Sequence, residues 1–177
     1  MASAPQARYS AVARWLHWII ALLIIWNVVS GIGHEALPRD ARAAVMGLHI
    51  SSGITVLVLS IIRLAWRLGH RPPPLPMGMT PWQAGLAHGV HWAFYALMLL
   101  LPLSGWIMIS SAPFPITWLG LFALPKFAVT REDAISGIAG EGHEILGLLM
   151  LALVVLHVGA ALWHHFSLRD NLIARMR

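Results

Sequence analysis

Four stretches of this chain are apolar over lengths that a soluble fold rarely sustains. Residues 15–33 carry no formal charge and have only His17 and Asn27 as strongly polar interruptions. Residues 44–66 hold a second charge-free run, closed by Arg63 and then Arg67. Residues 82–110 and 142–165 complete the set. A helix of about 20 apolar residues crosses a hydrocarbon core of roughly 30 Å, so each stretch predicts one transmembrane helix. The first also competes with a cleaved signal peptide, whose apolar core should be shorter; an uncleaved span is expected. Pro102 predicts a kink in the third. The connector at residues 71–81 is too rich in proline to be helical throughout. Residues 111–125 stay apolar but carry Pro113, Pro115 and Pro125, which reads as a loop or interfacial segment over the rim. The expected fold is an all-α membrane protein, one domain over residues 1–177, built as a four-transmembrane-helix bundle.

Composition changes the picture only by sharpening it. Charged residues make up 11% and hydrophobic ones 58%, against roughly a quarter charged in soluble domains. Most of the surface should therefore face lipid. The net charge of +5 does not point to nucleic acid, because the basic residues sit at the ends of apolar runs rather than in a patch. Four spans put both termini on one side. That side holds Arg8, Arg14, Arg63, Arg67, Arg71, Arg169, Arg175 and Arg177, against Arg39, Arg42, Lys126 and Arg131 on the other. The imbalance predicts cytoplasmic termini. Six acids (Glu35, Asp40, Glu132, Asp133, Glu141 and Glu144) fall outside, with Asp170 alone inside. Trp15, Trp18, Trp66, Trp82, Trp163 and Trp118 fall where interfacial belts form. The absence of cysteine excludes disulfides, thiolate clusters and covalent C-x-x-C-H haem attachment.

Ten histidines against seven acids is the feature that needs explaining. Imidazoles at membrane depth are costly and mark candidate functional sites. His143 and His157 lie fourteen residues apart on the last span, which returns to within about 40° of one face and separates them by roughly 21 Å along the axis. His17 lies about one turn into the first span from the inside, and His49 about one turn into the second from the outside. Depth therefore pairs His17 with His157 and His49 with His143, each pair offering the two imidazoles that a six-coordinate haem iron takes. Gly31, Gly47, Gly53 and Gly147 would leave room for a flat macrocycle, or serve ordinary close packing of membrane helices. Met150 lies between the two levels and reads as packing.

His88 and His91 are rivals for the inner level. His164 and His165 fall at the inner interface beside Arg14, Arg63 and Arg169, where a quinone headgroup or haem propionates would bind, or where the side chains simply snorkel. His34 and His70 fall in loops and read as solvated. A histidine-lined metal or proton transporter would show mid-span carboxylates as well, and none occurs.

The runs Arg14-Trp15-Leu16-His17-Trp18, Gly47-Leu48-His49, Gly85-Leu86-Ala87-His88 with His91, Gly142-His143-Glu144 and Leu156-His157 with His164-His165 together resemble the bacterial cytochrome b561 family. The resemblance covers nearly the whole chain. It implies a four-helix bundle with two b haems, their axial ligands matching His17, His49, His143 and His157. Within the family the chain is similar to members that take electrons from superoxide at the outer face and reduce ubiquinone near the inner face. Other relatives anchor a dehydrogenase or hydrogenase subunit, which is the competing reading. On the outer loops, Lys126 and Arg131, with Arg39 and Arg42, are the residues to attract an anion, and the six outer acids require that attraction to be local.

Overall fold

The computed structural model describes residues 8–74, 79–168 and 172–176; Arg169, Asp170 and Arg177 of the charge tally lie outside the described residues. Four long helices dominate: α1 (Ala11–Gly33), α2 (Arg39–Gly69), α3 (Pro81–Ser110) and α4 (Ala134–Trp163). All four are long and apolar enough to cross a membrane, and the protein is a multi-pass four-helix bundle.

Two of the starts, those of α1 and α3, are capped by side chains. The Ser10 hydroxyl accepts from the Ala13 amide at 3.3 Å and caps α1. Thr80 and Gln83 form a capping box ahead of α3, with Pro81 in the first helical position, where a missing N–H costs nothing. α2 has 31 residues, about 46 Å at the α-helical rise, so its charged first turn at Arg39 and Asp40 extends past the apolar run. α4 starts two turns before its apolar run, where Ser136 and Ala139 are buried and the Ser136 hydroxyl donates to the Thr130 carbonyl at 2.6 Å.

α1 packs along α2 and α3 along α4, with α2 against α3 as the central contact, whereas α1 and α4 touch at few points. The bundle is therefore a ring with a sparse α1/α4 seam. Its core is Ile20, Ile24, Val56, Tyr95, Leu97, Met98 and Met150. Outward-facing residues such as Leu22, Val29, Leu148 and Val155 stay exposed, as lipid contact requires. Asn27, polar at depth, is satisfied internally: it donates to the Leu23 carbonyl at 2.8 Å and across to the Ser52 hydroxyl at 3.0 Å.

The apolar stretch at residues 111–125 is more ordered than a rim loop. It contains an antiparallel hairpin, β1 (Ile116–Trp118) paired with β2 (Phe122–Leu124). Leu119 and Gly120 turn the corner with φ of 51° and 72°, the left-handed values that a tight hairpin requires. The hairpin is fastened to α2: Leu119 donates to the Ser51 hydroxyl at 3.0 Å and Trp118 Nε1 to Thr55 Oγ1 at 3.0 Å. Trp118 is thus also a partner of α2.

At the opposite end the closing 3₁₀ turn, Leu172–Met176, ties the termini together. Tyr9 donates to the Arg175 carbonyl at 3.2 Å, Trp18 Nε1 to the Met176 carbonyl at 2.9 Å, and Arg175 to the Pro74 carbonyl at 2.6 Å.

Candidate functional site

α4 carries His143 and His157 on one flank, and two other helices each bring a histidine to them. The His49 ring from α2 lies 6.1 Å from that of His143, centroid to centroid, at 73°. The His17 ring from α1 lies 6.3 Å from that of His157, at 66°. The bundle thus contains two imidazole pairs at two levels.

A bare imidazole pair this close would be an odd way to fill a core, and the spacing has a chemical meaning. With a metal–nitrogen bond of about 2 Å and a ring nitrogen about 1.1 Å from its centroid, two imidazoles bound to opposite sides of one metal sit about 6 Å apart. Both pairs have that separation.

The upper pair is also prepared for binding through Nε2. His143 Nδ1 lies 3.0 Å from the Leu101 carbonyl, which only accepts, so Nδ1 carries the proton. Ser30 donates its own hydroxyl hydrogen to the Trp26 carbonyl at 2.7 Å, so toward His49 Nδ1, at 3.1 Å, it accepts. Both rings therefore keep an Nε2 lone pair, the arrangement in which outer partners orient metal-bound histidines. Beside this pair lies a cavity of ≈ 610 Å³, mostly apolar, lined among others by Ile24, Ile54, Met98 and Leu101. Its size is that of a cofactor site.

Two glycines keep the rings in place. A Cβ at Gly31 would lie 3.2 Å from His49 Cε1, and one at Gly105 would lie 2.8 Å from His143 Cε1. Gly31 serves the His49 level rather than that of His17. Gly105 is absent from the sequence-based expectation; its outer position on the third span, level with His143, was the available signal. Gly47 and Gly147 have open space around them, and Gly53 approaches Asn27.

The lower level is more crowded. His91 from α3 lies 5.9 Å from His157, at 72°, and Phe94 lies 5.3 Å from it. His88 does not compete: it is exposed, with Nδ1 turned back to the Ala84 carbonyl at 2.8 Å. Arg63 donates to the Ala13 carbonyl at 2.9 Å, one turn before His17. Arg14 and His164 are half-buried at the same end, His164 where α4 passes into a π turn. Met150, almost fully buried, sits in the core between the levels beside Met98.

The loop residues are distributed differently from expectation. His34 is not a solvated loop residue: it bonds the Gly31 carbonyl at 2.8 Å through Nδ1 and lines the upper cavity with Glu35 and Glu144. Lys126 Nζ donates to the carbonyls of Ala112 and Phe114, and Arg131 is exposed; neither lines that cavity. His70 is stacked on Trp66 at 3.8 Å. Among the described residues no cluster of three or more His, Asp or Glu side chains is set for a bare metal ion.

The family model described as "Prokaryotic cytochrome b561" matches residues 8–177. The chain is 29% identical to "Probable superoxide oxidase CybB" of Yersinia pestis, over 96% of this chain and 95% of that protein. It is 30% identical to "Cytochrome b561 homolog 2" of Escherichia coli, over 96% and 90%. It is 28% identical to "Cytochrome b562" of Cereibacter sphaeroides, over 95% and 94%.

Proposed function

The chain belongs to the prokaryotic cytochrome b561 family of membrane electron-transfer proteins, and from that premise we propose that it holds two b haems and passes single electrons from superoxide to ubiquinone. The family implies b-type haem. The observation that carries the number two is the pair of imidazole pairs at 6.1 and 6.3 Å on two levels of one bundle.

His49 and His143 would hold one haem and His17 and His157 the other. Bound b haem supplies a reversible one-electron couple at its iron. The chain's own part is to orient and insulate. The Leu101 carbonyl and Ser30 hydroxyl fix the rings and make their nitrogens better donors. The apolar part of the lining, with Ile24, Ile54, Met98 and Leu101, would pack against the macrocycle. At the lower level His17 is the better partner of His157, although His91 is as close. A planar macrocycle needs a gap between the helices that ligate it, and α1 and α4 leave one where α3 and α4 pack tightly.

The charge imbalance supports an inner-membrane protein with cytoplasmic termini. Lys126 and Arg131 then lie on the outer side and draw in an anionic donor; Arg14, Arg63 and His164 lie on the inner side, where they bind the quinone or the haem carboxylates. The relative named as a probable superoxide oxidase supports the donor.

The test is anaerobic addition of superoxide to purified haem-loaded protein, followed by ubiquinone. The expected result is haem reduction within the mixing time and reoxidation by quinone. Haem that stays oxidised while superoxide decays at its spontaneous rate overturns the donor assignment. One observation favours a second reading, an anchor fed by a dehydrogenase subunit: Glu35 and Glu144 line the upper cavity, and carboxylates repel a small anion. A stoichiometric dehydrogenase partner in material purified gently from native membranes would decide for that reading.

A further inference from the structure

At the end of the bundle bearing the termini, Arg8, Arg63, Arg67 and Arg71 line a cavity of ≈ 260 Å³ with Trp66 and Tyr95. No Asp or Glu is among the described residues that line it. Four guanidiniums lining one cavity repel one another at a cost unless an anion joins them. Two of them are held in place beforehand. Arg63 donates to the Ala13 carbonyl, and Arg67 lies over the rings of Trp92 and Tyr95 at 5.9 and 5.6 Å. Arg8 and Arg71 stand at the rim.

We propose that this cavity binds the phosphodiester headgroup of an anionic membrane lipid. Guanidinium is always charged, and its planar fork matches phosphate oxygens two at a time. The cavity also sits at the right depth. Arg63 closes the charge-free run of α2, and Trp66, one turn further on, is a residue type that favours the membrane interface. Basic pockets between helices at this level are where anionic headgroups are recognised. Ile61 and Ile62, exposed on α2 just above, offer an apolar path for acyl chains. The volume suits a phosphate with its glycerol and is far too small for a macrocycle.

The proposal does not rest on the haem reading, and Arg63 is the residue the cavity shares with the inner-end set assigned above to quinone or haem carboxylates. The cavity's walls come from α1, α2, α3 and the connector, and α4, which carries His157, contributes nothing. It therefore lies off the α1/α4 seam.

Native mass spectrometry of the full-length, haem-loaded protein in detergent tests this, with added phosphatidylglycerol or phosphatidylcholine. The expected result is a retained phosphatidylglycerol adduct and no comparable phosphatidylcholine adduct. Arg8→Gln with Arg71→Gln should lower phosphatidylglycerol retention about tenfold or more, while haem mass stays unchanged. Arg39→Gln, at the other end, should leave retention as it is. If the double variant does not fold, Arg71→Gln alone at the exposed rim gives the same reading. Equal retention of the two lipids, or undiminished retention in the Gln variants, overturns the proposal. So does displacement of the adduct by millimolar inorganic phosphate, which assigns the site to free phosphate. Loss of haem together with lipid assigns the arginines to haem carboxylates instead.

Discussion

A methyl group at position 105 would lie 2.8 Å from Cε1 of His143 and 3.0 Å from its Nδ1, so the absent side chain of Gly105 is what allows the ring its position. Gly105→Ala must push the His143 ring or separate α3 from α4. The expected outcome is a protein that retains about one haem per chain instead of two, measured by haem extraction against protein mass. Two haems of unchanged spectrum in this variant would show that the gap at Gly105 does not set the position of the His143 ring.

The lower level offers a direct choice between His17 and His91, both within about one metal-bridging distance of His157. His17→Ala should remove one low-spin haem, and His91→Ala should leave both. The reverse result, read from the absorbance bands and haem content, would move the lower site to the α3/α4 side and require those helices to open.

Ser30 accepts from His49 Nδ1 while its own hydrogen is used by the Trp26 carbonyl. Ser30→Ala removes the acceptor without altering the ring. The affinity of the upper site should fall about tenfold, the lower end of what such outer partners contribute. The potential of one haem should rise, because a less basic imidazole stabilises ferric iron less. A redox titration in which both potentials stay at wild-type values would sever Ser30 from the site.

Lys126 is turned toward the carbonyls of Ala112 and Phe114, and its charge still contributes to the local field. Replacing Lys126 and Arg131 by Gln should slow reduction by superoxide about tenfold at low ionic strength. The difference should shrink as salt is raised, because screening removes what the substitution removes. Stopped-flow rates that match wild type at low salt would show that these two residues do not steer the donor.

The number and course of the helices were legible from the chain itself, because the hydrocarbon thickness sets a length that four apolar runs meet and charged ends confirm. Helical rise and phase also matched His17 with His157 and His49 with His143, since a rigid helix converts residue spacing directly into depth and direction. Those rules stop at one helix. They could not say that α1 and α4 barely touch while α3 and α4 pack closely, the difference between the His17 and His91 sides of His157. They could not show that Gly105 faces His143, or that His34 turns into the upper cavity. The hairpin at Ile116–Trp118 and Phe122–Leu124 was hidden for a related reason: its strands are three residues each, too short for a period to register. They are held by Ser51 and Thr55 on α2, more than sixty residues away in the chain. What one helix imposes on its own residues can be read locally; which neighbour it leaves room beside is decided only when all four pack.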